Sequence, residues 1–131
     1  MNKIFTTILA SLLISISSYA ADPWTKTQIG LEIGYQVALL CDWRQTSDFH
    51  KPYTDEKGKR WEYQKEANPL LGERPKQSTI NNWCLLSSVG HVLISHYLPS
   101  EYRTVWQGVT FGIELDVVAY NLIGGKINIR F

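Results

Sequence analysis

The sequence predicts an all-α protein, a three-helix antiparallel bundle preceded by an export signal. Three observations predict it. A short apolar run opens the chain. Three later segments of about 20 residues carry apolar side chains at helical spacing. The stretches between them hold the turn-forming residues. With 131 residues the chain has room for one domain.

The leader is residues 1–20. Lys3 gives the positive start, Ile4 to Ile16 the apolar run, and Ser18-Tyr19-Ala20 the small-x-small cleavage site. The single helical domain is then residues 21–131. Without Lys3 the basic and acidic side chains balance. A nucleic-acid binder needs a basic face, so that class is excluded. Five Trp and seven Tyr suit cores, interfaces and membrane boundaries.

The first helix is expected over about residues 23–46. Asp22 can cap it, and Pro23 suits its first turn. Ile29, Ile33, Val37 and Leu40 form one stripe; Glu32 and Gln36 lie on another. A polar connection follows over residues 47–77, with a hairpin expected around Asp55 to Gly58, flanked by Tyr53, Trp61 and Tyr63. The second helix is expected over about 78–98, capped by Ser78. The third is expected over about 101–122, with Glu101 complementing its dipole. Gly124-Gly125 stops it. The tail "KINIRF" alternates polar and apolar residues and reads as a short strand.

Each helix is near bilayer length, yet none is cleanly apolar. Glu32, Gln36, Asp42, His91, Glu114 and Asp116 would have to face a bundle interior. The 47–77 connection holds Lys51, Lys57, Lys59, Arg60, Lys65, Arg74 and Lys76. The opposite turn holds only Arg103. That asymmetry fits the positive-inside rule and favours the inner membrane, with a soluble periplasmic bundle as the alternative. Cys41 and Cys84 lie near facing helix ends. They can pair as a disulfide in the periplasmic arrangement and stay thiols in the membrane one.

Counting residues from the outer end of the bundle places Glu32, His91 and Gln107 in one polar layer. Gln36 and Glu114, with Ser87 or Ser88, fall in a deeper one. Glu32, His91 and Glu114 are therefore weak candidates for a metal site or proton relay. The bland reading is a hydrogen-bonded network that sets helix register. The spacings HxxxH, ExxH and CxxC are absent, as is Gly-x-Ser-x-Gly. These absences point away from an enzyme, and no cofactor is implied.

"DWRQT" places Asp42, Gln45 and Thr46 at a helix C-terminus, where an acid is disfavoured and needs a partner. Asn68, the backbone around Pro69, Asn81, Asn82 and Asn121 are the candidates. Glu66, Asn68 and Pro69 of "EANPLLGERP" are read as folding back to close that end, with a small polar ligand site as the other reading. Gly30, Gly34, Gly108 and Gly112 allow close approach of a backbone, hence self-association or a membrane-protein partner.

Together "DWRQT", "EANPLLGERP", Gly90-His91 and "LPSEYRTVWQ" resemble a family of short bacterial and phage-encoded exported proteins. The DWxQT and ExNPLLG motifs are also similar to those of a broader group of small membrane proteins. The resemblance spans about residues 35–110. It implies a helical, membrane-associated protein and no activity; the reading of the whole chain is a protein that acts by interaction in the cell envelope. A soluble periplasmic binding or inhibitor module, and a metal-binding protein or enzyme, are the alternatives.

Overall fold

A computed structural model describes residues 22–48, 53–54, 56–61, 68, 70–72 and 74–123. The leader, Glu66, Pro69 and the C-terminal tail lie outside the described residues. Three helices make the fold: α1 over Lys26–Asp48, α2 over Gln77–Tyr97 and α3 over Ser100–Ile123. In the connection, β1 (Tyr53–Thr54) pairs antiparallel with β2 (Arg60–Trp61), Tyr53 opposite Trp61. Gly58, at φ 76°, supplies the turn conformation that L residues resist. The bundle and the hairpin thus stand where the spacing placed them.

The helix starts differ from expectation. Thr25, and not Asp22, caps α1: Gln28 N–H donates to Thr25 Oγ1 at 3.2 Å, and Thr25 N–H donates to Gln28 Oε1 at 3.1 Å. This is a capping box with Gln at its fourth position. Asp22 instead accepts from Ser100 N–H at 3.0 Å, so it caps α3 across the bundle. At α2 the helix starts one residue before Ser78. Lys76 is its N-cap and makes no side-chain capping bond.

Helix α1 packs against both others and most extensively against α3. The α1–α3 seam is close because Gly34 faces the Phe111 ring. A Cβ there would lie 2.8 Å from Phe111 Cζ. Gly34 thus works inside the bundle. Gly30, Gly108 and Gly112 have open space around the Cβ position.

The burial pattern is inverted. Among the described residues nine buried side chains are polar or charged, against five hydrophobic ones. The small apolar core is Tyr35, Ala38, Leu39, Ile80 and Val118. The Ile29, Ile33, Val37 and Leu40 stripe faces outward, with Ile33 at 59% exposure. Leu85, Leu86, Val89 and Leu93 on α2 do the same, as do Val105, Val109 and Ile113 on α3. Gln28, Glu32 and Gln45 of α1 turn inward.

Gly34→Ala will lower stability by roughly 1–3 kcal/mol, the cost of overpacking a close seam. The loss will be smaller when Phe111→Leu is already present. Denaturant titrations followed by helical circular dichroism on the four proteins of that cycle measure the coupling.

Candidate functional site

The site is a polar interior built around one carboxylate. Glu32 of α1 is buried and receives donors from every helix. Gln36 Nε2 donates to its Oε1 at 2.8 Å, from one turn along α1. From α2, Ser95 Oγ donates to Oε2 at 3.2 Å. His91 Nδ1 lies 3.0 Å from Oε1 and 2.9 Å from Oε2. From α3, Gln107 Nε2 donates to Oε2 at 3.0 Å. A carboxylate offers about four acceptor positions, so these donors use its capacity.

His91 is held on all sides. Its ring stacks on Tyr35 with centroids 3.6 Å apart and on Trp106 at 5.4 Å. Facing a carboxylate, Nδ1 is a donor. Nε2 lies 2.7 Å from Thr110 Oγ1, whose hydroxyl donates to the Trp106 carbonyl at 2.7 Å. One ring nitrogen thus faces the carboxylate and the other a hydroxyl. Two buried polar atoms nearby, Trp106 Nε1 and Gln107 Oε1, have no hydrogen-bond partner among the described residues.

A second buried charge closes the end of the bundle. Arg103 is completely buried and faces carbonyls instead of an acid. Its Nε donates to Ser95 O at 2.6 Å, and Nη2 to His96 O at 3.3 Å and Leu98 O at 2.9 Å. Nη1 donates to Asp22 O at 3.0 Å and Gln28 Oε1 at 3.2 Å. The last carbonyls of α2 have no partners within the helix and form its negative pole, so a guanidinium suits that place. Gln28 Nε2 meanwhile donates to Ser100 O at 2.8 Å and to Thr104 Oγ1 at 3.0 Å.

Below the Glu32 layer, Ser88 Oγ donates to Gln36 Oε1 at 2.7 Å. At the far end, Trp43 Nε1 donates to Asn81 Oδ1 at 2.9 Å and Gln77 Nε2 to Ser47 Oγ at 2.9 Å. Asn121 Nδ2 donates to Gln45 Oε1 at 3.2 Å and lies 3.4 Å from Asp42 Oδ1. Asn121 is thus one of the expected asparagines that the fold brings to Asp42. Asn68 Oδ1 accepts from Leu70 N–H at 3.0 Å and shapes its own turn. Thr46 is buried beside Ser47.

The structure therefore brings together Glu32, His91 and Gln107, and separately Gln36 and Ser88. Glu114 does not join Glu32 and His91. No group of three or more His, Cys, Asp or Glu side chains among the described residues is placed to hold a metal. Cys41 and Cys84 are free, half-buried thiols. Cys84 lies against Leu39, Leu40 and Trp43. Cys41 is one residue beyond Leu40 on a helix that turns about 100° per residue, and two turns past Gly34 on the α3 side. Gln28 and Arg103 escaped the sequence reading. An arginine at the start of a helix carries no signal of burial. Protein-family models, curated proteins and solved structures return no match to this chain.

Glu32→Leu will cost on the order of 3 kcal/mol by leaving buried donors without an acceptor. Glu32→Gln will cost less, because the amide oxygen still accepts. Arg103→Lys will behave like Arg103→Met, since an ammonium cannot reach so many carbonyls from one position. Equilibrium unfolding followed by helical circular dichroism checks both orderings.

Proposed function

We propose that this chain is an exported protein held in the membrane of the cell envelope as a preassembled bundle, where it acts by interaction rather than catalysis. One observation carries the reading: most of the buried side chains are polar, and most of the large apolar ones face outward. Among the described residues no helix is long and apolar enough to cross a membrane. That property belongs to each helix alone and counts the side chains that the bundle hides. Lipid would meet mostly the sheath of Ile33, Val37, Leu86, Val89, Val109 and Ile113. Asp116 of α3 is the exception to the expected inward facing: it is exposed, toward the end of α3 that lies beside the 47–77 connection.

The helices have 23, 21 and 24 residues. At 1.5 Å per residue they are roughly 31–36 Å long, against a hydrocarbon core of about 30 Å. Intramembrane charge is tolerated when it faces the bundle interior and is paired. Glu32 and Arg103 meet that condition. The charge asymmetry supports an orientation with the 47–77 connection on the cytoplasmic side. Its Lys57, Lys59, Arg60, Arg74 and Lys76 are exposed, whereas Arg103 at the opposite turn is buried. With its acceptor positions filled by donors of the chain, Glu32 supports register and charge compensation ahead of chemistry. Gly30, Gly108 and Gly112 leave backbone open to a partner helix or a second copy.

The test is fractionation of the expressed protein, with thiol alkylation with and without reductant. The expected result is a membrane pellet that resists carbonate and carries two alkylatable thiols. A protein released in soluble form from the periplasm, with both thiols blocked, overturns the reading.

A further inference from the structure

Helices α1 and α2 are joined by a ladder of polar pairs, and one rung is missing. Ser47 meets Gln77, Trp43 meets Asn81, Gln36 meets Ser88 and Glu32 meets His91. Each step along α1 is matched by a step the other way along α2. Between the Trp43 and Gln36 rungs the register brings Leu39 and Leu40 opposite Cys84 and Leu85. Those side chains do not fill the gap. They leave a groove of about 340 Å³, within the size range of small-molecule sites.

We propose that this groove seats one acyl chain of a membrane lipid. The inference rests on the membrane reading above and adds a specific site to it. Three features select the occupant. First, the lining is neutral and mostly apolar, and its Trp43 and Ser88 donors are taken up within it: Trp43 Nε1 donates to Asn81, and the Ser88 hydroxyl donates to Gln36. A polar ligand is offered none of those donors, whereas a hydrocarbon needs none. Second, the groove opens onto the apolar sheath, since Leu40 is 52% and Leu85 62% exposed. A guest therefore enters sideways from the lipid. Third, the groove runs along the helix axes for about 10 Å between the two rungs. That is the direction lipid chains take in a bilayer. A helix is about 10 Å across and does not fit such a volume over that length.

Trp43 on the groove wall reports occupancy. The protein is reconstituted in dioleoylphosphatidylcholine vesicles with rising fractions of phosphatidylcholine brominated on its acyl chains. The Trp43 signal is the difference between the wild type and Trp43→Phe. Leu86→Trp in the Trp43→Phe background is the control for an outward-facing position. A single seated chain makes Trp43 quenching proportional to the brominated fraction. The control, touched by several lipids at once, quenches steeply at low fractions and then levels. Cys84→Phe, or the milder Cys84→Leu, fills the groove and lowers Trp43 quenching several-fold while helical circular dichroism is unchanged. If Trp43 follows the control and ignores both fillings, or is not quenched while the control is, the groove does not hold a chain. If the control itself is not quenched, the membrane reading fails.

Discussion

The fold depends on compensating one buried carboxylate. Glu32 is surrounded by the apolar sheath, where a lone charge is costly to hold. Its donors come from Gln36 on its own helix, His91 and Ser95 on α2, and Gln107 on α3. Sliding either neighbour by one residue would turn those donors away. The carboxylate thereby fixes the height of two helices against a third. Hydrophobic packing, being non-directional, does not fix that height alone. In lipid the constraint tightens, because tails are as apolar as the helix faces and register must come from close packing and hydrogen bonds.

Helix α1 uses different means on its two sides. Toward α3 it runs parallel and relies on contact, with Gly34 under the Phe111 ring and Gln28 and Gln45 reaching across near either end. Toward α2 it runs antiparallel and relies mostly on paired polar side chains. A seam of discrete polar rungs leaves gaps wherever a rung is replaced by apolar residues of unequal size. Cys84 is small beside Leu39 and Leu40, so the groove opens at that level.

Height along the bundle was legible in the sequence, and direction around each helix was only partly so. Short connections make helices antiparallel, so counting from a turn placed Glu32, His91 and Gln107 in one layer and Gln36 with Ser88 in the next. The same counting put Glu114 beside Gln36, yet the two form no bond. Depth does not say which way a side chain points. Local capping is the common case, so the sequence points to Asp22 as the cap of its own helix. Its actual partner, Ser100 N–H, becomes a neighbour only once the bundle closes. Asp42 had four asparagines within plausible reach, and spacing alone could not choose Asn121.

Arg103 completes the electrostatic argument. A buried guanidinium usually faces a carboxylate, and here it faces the carbonyls at the end of α2. Ser95 links the two buried charges: its carbonyl accepts from Arg103 and its hydroxyl donates to Glu32. Gln28 ties Arg103 to α3, accepting from the guanidinium while donating into the start of that helix. Opposite charges are thus joined through neutral groups in place of direct contact. Each keeps its full set of hydrogen bonds, and their fields partly cancel at the distance of the surrounding sheath. A direct Glu32–Arg103 pair would take the guanidinium away from the carbonyls at the end of α2. The indirect arrangement satisfies all of these groups together, and it does so with side chains that every helix must supply.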